Sequence, residues 1–198
     1  MKIANNTIAK DFNAVTSERN FFILSRLKAS KIILSFYRNG SCAWSNYRLS
    51  ELKKLRQLFL ENNVQVVSVF ESMPRDIFPF SGRPEEPFYI IADPMGLLYD
   101  MYRAQSSGEK VRTAIASGAT SEYSVSAATN GFMSVPQEGS NFFRMPAEFL
   151  IDEDFIVRKT HYTHNVVDFL PIEEIIKWSA NETDHKAKEK KFIQNLAF

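Results

Sequence analysis

The stretch Lys31–Asn62, KIILSFYRNGSCAWSNYRLSELKKLRQLFLEN, decides the fold. It opens on an apolar, β-branched run, Ile32-Ile33-Leu34 with Phe36, which suits a strand buried on both faces. Asn39-Gly40-Ser41 then breaks the run with turn residues. Behind the break the spacing predicts a helix over 42–62, its stripe formed by Leu52, Leu55 and Phe59 with Lys53, Lys54, Arg56, Gln57 and Glu61 outside it. Cys42, the sole cysteine of the 198 residues, falls where strand hands over to helix. A helix start exposes unpaired N–H groups and the positive end of the macrodipole, and both favour an anion. The thiolate is the nucleophilic form of cysteine, so this position can make a thiol reactive. Arg38 and Arg48 lie within six residues and are candidates to add positive charge. Against this stands the plain reading of a free cysteine as a small buried hydrophobe.

Working outward, Val64, Val66, Val67, Val69 and Phe70 predict a second buried strand, and strand–helix–strand implies a right-handed parallel crossover. Pro74, Pro79, Pro84 and Pro87 read as a loop with at most one helical turn around Asp76–Phe80. Phe88–Ile91 reads as a strand and Gly96–Arg103 as a helix. Residues 104–141 are rich in Ser, Thr, Ala and Gly, with a helix expected near 109–117 and a long surface excursion after it. Glu148–Asp152 and Phe155–His161 predict a hairpin, and Pro171 starts an amphipathic helix carrying Ile172, Ile175, Ile176 and Trp178. Residues 1–30 suggest one or more short helices. The expected domain spans 1–180, followed by a charged tail over 181–198.

Composition narrows the function. Hydrophobic residues are 44%, charged residues 24% and net charge +1, so no bulk field draws the chain to nucleic acid or an anionic membrane. No apolar run approaches the ~20 residues of a membrane span, and MKIANNTIAKDF lacks the apolar core of a secretory signal. One cysteine excludes an intrachain disulfide and fits a reducing compartment, so the expected location is cytoplasmic. His161, His164 and Asp168 lie close in sequence, but a structural zinc site takes four ligands and residues three apart on a strand face opposite ways. No metal and no cofactor are expected.

The segment FYRNGSCAWSNYRLSEL resembles the FYRGxWCPxCxxxLxxL passage of the alkyl hydroperoxide reductase/thiol-specific antioxidant family, in particular its peroxiredoxin-like, selenoprotein-U-related branch. FYIIADPMGLLYDMY is similar to that family's strand–Asp-Pro–helix passage, and VPQEGSNFFRMPAEFLIDEDFIVRKTHYTHNVVDFLPIEEII to the branch's ending. The resemblance implies an α/β thioredoxin-like fold, a central mixed sheet flanked by helices, with an insertion before the C-terminal hairpin. It places Cys42 at the first cysteine of the CxxC motif, Ser45 at the second, and Met145-Pro146 where thioredoxin-like proteins carry a cis-proline facing the active cysteine. Ser45 removes the resolving thiol, which leaves one-cysteine chemistry. The function it implies is a thiol-dependent antioxidant that reduces peroxides through Cys42. Ser45 and Pro146 would take catalytic roles, with Arg38 and Arg48 as thiolate stabilisers. Its partners would be a peroxide and an external thiol donor of thioredoxin or glutathione type, and a homodimer stays open. The alternative is a non-catalytic thioredoxin-like binding module that has lost the CxxC dithiol.

Overall fold

The computed structural model describes residues 1–180; the charged segment 181–198 lies outside the described residues. The decisive stretch folds as a strand, β4 (Lys31–Phe36), entering a helix, α1 (Ala43–Lys53). β4 pairs in parallel with β5 (Val64–Phe70), which pairs in parallel with β6 (Phe88–Ala92). On its other side β4 meets β7 (Ala147–Ile151) in antiparallel fashion, and β7 forms the expected hairpin with β8 (Ile156–Tyr162). Three short strands, β1 (Thr7–Ile8), β2 (Asn13–Thr16) and β3 (Phe21–Ile23), complete an eight-stranded sheet in the order β1-β8-β7-β4-β5-β6-β2-β3.

The continuous apolar run of β4 is explained by burial on both faces. Ile32, Leu34 and Phe36 look into one core with Val67, Val69 and Phe149, capped by Phe12, Phe22, Tyr99 and Tyr102. Ile33 looks the other way, into a core with Val66, Leu49, Leu52, Phe59, Leu150 and Ile175. Period-2 alternation therefore splits one apolar segment between two cores. Helices α1 and α2 (Arg56–Glu61) lie on the second face with the last helix, whose described span is Ile172–Ser179 behind Pro171.

Four local expectations change. The helix over 42–62 divides at Lys54–Leu55, where the Leu55 N–H bonds to the Leu52 carbonyl in a tighter turn. That turn leaves both Leu55 and Phe59 buried, which keeps the apolar stripe aimed at the sheet. Residues 1–30 form three strands, with a single short 3-10 helix at Leu24–Leu27 in place of the expected helical lead-in. β2 gains its partner far along the chain, with Val15 opposite Ala92 and Thr16 opposite Ile91, and that tertiary pairing overrides weak local propensity. The proline-marked loop contains α3 (Pro74–Ser81), with Pro74 at its first position and Pro79 inside. Proline is pre-organised for a first helical turn, which is why punctuation here does not exclude a helix. The insertion holds two helices beyond α4 (Leu97–Tyr102), namely the expected α5 (Gly108–Ala116) and an additional α6 (Ser121–Thr129). The last helix is accordingly α7.

α6 explains what the insertion is for. It lies along α1: the Tyr47 and Tyr123 rings stand 5.1 Å apart, Trp44 Nε1–H donates to Ser124 Oγ at 2.9 Å, and Tyr123 donates to Glu51 Oε2 at 2.9 Å. Burial, reinforced by the Glu51 charge, pushes the Tyr123 hydroxyl well above its ordinary range, so it remains the donor in that contact. The segment that reads as a surface excursion is thus bound to the helix that begins at Cys42.

Candidate functional site

Cys42 is the N-cap of α1, in extended backbone (φ −73°, ψ 115°), and its side chain makes no capping bond to the helix amides. The residue is 4% exposed. Three neighbours shape the turn before it. Asn46 Nδ2 donates to the carbonyls of Gly40 and Cys42 at 2.7 and 3.0 Å. Gly40 N–H donates to Ser72 Oγ at 2.9 Å. Gly40 itself is required by contact: a Cβ there would strike the Asp76 carbonyl oxygen and stand 2.8 Å from Ile77 Cα. Gly40→Ala is therefore expected to lower stability by ~1–3 kcal/mol, read in thermal or denaturant unfolding, because α3 must move to admit one methyl.

Arg38 reaches the sulfur. Its Nη1 donates to Cys42 Sγ at 3.4 Å and its Nη2 to the Phe142 carbonyl. The guanidinium lies between two rings, 5.3 Å from the Trp44 centroid and 4.9 Å from that of Phe142. Nε–H is buried and has no acceptor among the described residues. The described residues bury two further arginines, and each faces a carboxylate. Arg144 makes a two-pronged bond to Glu71 at 2.6 and 2.7 Å, and Arg48 makes one to Glu148 at 3.1 and 3.1 Å. Arg38 is 4% exposed, yet among the described residues it has no carboxylate partner. The side-chain acceptor it reaches is the sulfur.

The remaining expected site residues separate. Arg48 is removed from a thiolate role. It is 2% exposed, and besides Glu148 it donates to the Leu170 carbonyl at 2.7 Å, lies 3.6 Å from Glu51 and covers the Phe169 ring. Burial acts against its charge and Glu148 more than offsets that, so it stays ionised. Tyr37, beside this pair, has its hydroxyl pushed up by burial and then by the Glu148 charge. Ser45 is fully buried on the α1 face next to the site, but its Oγ accepts the backbone N–H of Arg38 at 3.1 Å. It therefore holds the chain that presents Arg38 rather than bonding the sulfur. Met145-Pro146 also departs from expectation: the cis peptide among the described residues is Glu86–Pro87, and Met145–Pro146 is trans. The Pro146 carbonyl accepts from Thr163 Oγ1 at 2.8 Å, and Met145 joins Trp44 in a small apolar cluster. His161 bonds the Asp168 carbonyl at 2.8 Å, and no group of three metal-ligating side chains occurs among the described residues.

What covers the thiol was not anticipated. The strap from Gly131 to Phe143 crosses the Cys42 turn and bonds to it repeatedly. Ser134 Oγ accepts the Ala43 N–H at 3.0 Å, so the first amide of α1 is capped by a distant serine. Ser41 Oγ donates to the Val135 carbonyl at 2.7 Å, Asn39 Nδ2 to Ser140 Oγ at 3.1 Å, and Gln137 Nε2 to Ser72 Oγ at 3.0 Å. The sequence carries only a faint signal of this, in the run of polar residues after α6.

A mixed sheet with parallel β4, β5 and β6, an antiparallel hairpin beside β4, and a cysteine at the start of the helix after β4 defines a thioredoxin-like protein. The AhpC/TSA family matches residues 6–160, and the chain belongs to that family. No curated protein matches it. Solved structures share the fold at low identity. Peroxidoxin BcpB from Mycobacterium tuberculosis is 14% identical, with TM-score 0.60 over 88% of this chain and 93% of that one. The Plasmodium vivax 2-Cys peroxiredoxin is 15% identical, with TM-score 0.59 over 93% and 84%. The yeast mitochondrial 1-Cys peroxiredoxin is 17% identical, with TM-score 0.59 over 88% and 73%. No described helix is long and apolar enough to cross a membrane.

Proposed function

We propose that the chain is a one-cysteine thiol peroxidase acting through Cys42. The observation that carries this reading is the buried Arg38, whose Nη1 donates to Cys42 Sγ while no carboxylate among the described residues neutralises it. A buried cation is costly unless paired, so this arrangement favours an anionic sulfur. In the reaction the thiolate attacks the distal oxygen of a peroxide; an S–O bond forms as the O–O bond breaks. The sulfur is oxidised to a sulfenic acid, and the leaving alkoxide takes a proton and departs as alcohol or water. Arg38, with its free Nε–H, stabilises the charge developing on the departing oxygen. An external thiol then condenses with the sulfenic acid to a mixed disulfide, releasing water. A second thiol completes reduction and regenerates Cys42.

In this reading Ser45 positions Arg38, Pro146 shapes the wall behind Met145, and Arg48 serves the fold. The donor is of thioredoxin or glutathione type, as the family resemblance implies. Placement in the selenoprotein-U-related branch rests on the resemblance of the FYRNGSC passage and of the VPQEGSNFFRMPAEFLIDEDF ending. A second reading, a thioredoxin-like binding module without catalysis, is favoured by one observation: Cys42 is buried under the strap. Intact mass after one equivalent of peroxide, with and without dimedone, separates the two. The peroxidase gains one oxygen, trapped as the dimedone adduct and absent from Cys42→Ser. Unchanged mass in the folded protein would assign the chain to the binding class.

A further inference from the structure

We infer that the strap Met133–Phe142 is an autoinhibitory cover that occupies, with its own oxygens, the donors a bound peroxide would use. The inference rests on the reading of Cys42 as the reacting group. Two hydrogen-bond donors flank the thiol, the Ala43 N–H at the start of α1 and Nη2–H of Arg38. Both are filled by strap oxygens, Ser134 Oγ in the first case and the Phe142 carbonyl in the second. The strap thus fills both donors next to Cys42 with its own oxygens, in the role that the two oxygens of a peroxide would take. Arg38 Nε–H is left over, buried without an acceptor among the described residues, as a donor the closed strap does not satisfy.

The strap is also built to leave. Its ends are anchored: Phe132 N–H bonds the Ala127 carbonyl at the end of α6, and Arg144 is clamped by Glu71 and covers the Tyr99 ring at 4.5 Å. Between those anchors no residue from 133 to 143 is buried, and Met133, Val135 and Phe142 turn half or more of their surface outward. Little apolar burial therefore holds the strap down, the Phe142 ring against the Arg38 guanidinium being its main contact of that kind. Polar contacts through Ser134, Val135, Gln137 and Ser140 do most of the rest, and each such neutral hydrogen bond is worth little against water, while the charge-assisted bond from Arg38 to the Phe142 carbonyl is the strongest single tie. Segments held mainly by partly exposed hydrogen bonds are those that open locally at small free-energy cost. A reagent or peroxide reaches Cys42 through that opening, and the opening releases the Ala43 and Arg38 donors at the same moment.

The test is the alkylation rate of Cys42 by iodoacetamide in folded protein. In the wild type the rate should respond only weakly to sub-denaturing urea, since a local opening exposes little surface. In the triple variant Ser134→Ala, Gln137→Ala, Ser140→Ala it should rise by about tenfold, three strap bonds having been removed, with melting behaviour and near-UV dichroism retained. Wild-type protection that is lost only with global unfolding would overturn the cover, as would a wild-type rate equal to that of an unprotected thiol. The wild-type measurement decides the matter even where the variant folds poorly. Fast alkylation of the triple variant without sulfenic acid on peroxide treatment would uphold the cover and refute the peroxidase reading.

Discussion

Glu148→Gln is expected to destabilise the protein by roughly 3–5 kcal/mol, the usual cost of leaving one member of a buried ion pair alone. Glu148 is fully buried in β7 and is bonded on both oxygens. Oε1 accepts from Arg48 and Ser35, and Oε2 from Arg48 and the Leu170 N–H. The amide keeps the size but withdraws the charge, and one of its ends becomes a donor facing the Arg48 guanidinium. Glu51, at 3.6 Å and partly exposed, compensates only in part. For a chain of this size the loss corresponds to a fall in Tm of roughly 10 °C or more. The double replacement Arg48→Met with Glu148→Leu should recover only part of it: removing both charges spares their desolvation, but it leaves the Leu170 N–H and carbonyl and the Ser35 hydroxyl without these partners. Calorimetry of the three proteins decides the point; a single variant within 1 kcal/mol of wild type would show the pair to be energetically idle.

Arg38→Met is expected to reduce the rate at which Cys42 forms sulfenic acid by about 10²-fold or more, the usual loss when one charged or oriented donor leaves a reacting centre. Methionine keeps an apolar stem between Trp44 and Phe142 and so preserves much of the packing that Arg38 supplies. Because the same change removes the bond to the Phe142 carbonyl, the strap is looser in this variant and alkylating reagents reach the sulfur more often. Access and reactivity should therefore move in opposite directions. Lysine at the position restores a charge without the fork and should recover only part of the rate. Stopped-flow peroxide consumption under single-turnover conditions, with alkylation measured in parallel, reads both quantities; unchanged peroxide kinetics would remove Arg38 from the chemistry.

The β4–α1 passage was legible because burial on both faces imposes an unbroken apolar run, and the following turn and stripe are local features. Cys42 at the helix start followed from the same reading. Arg48 turns to Glu148 instead of the sulfur because proximity along the chain does not fix direction. It shares the inward face of α1 with Ser45 and Leu52, which stand three and four residues from it, and that spacing pointed to burial. Glu148 carried the matching sign, a carboxylate within the apolar AEFLI run of a strand buried throughout. The N-terminal strands and α6 were not legible. The first draw their pairing from β6 and β8, and the second presents Tyr123 and Ala127 to the fold from an otherwise Ser-rich helix. Ser134 as a cap for α1 lay beyond local pattern altogether, since 91 residues separate it from Ala43.

The outer margins of the sheet carry a consequence for self-association. One margin is β1, two residues long, and the other is β3, three residues long. A strand offers unpaired backbone groups to a second molecule in proportion to its length, and two or three residues supply too few to template a ladder. Ile8 and Phe21 are exposed at these margins, yet each sits on a stub that ends almost at once. Copies of this chain are thereby discouraged from fusing their sheets into a continuous ribbon. A dimer, where one forms, is to be sought on helical or loop surfaces, with side chains rather than backbone making the join.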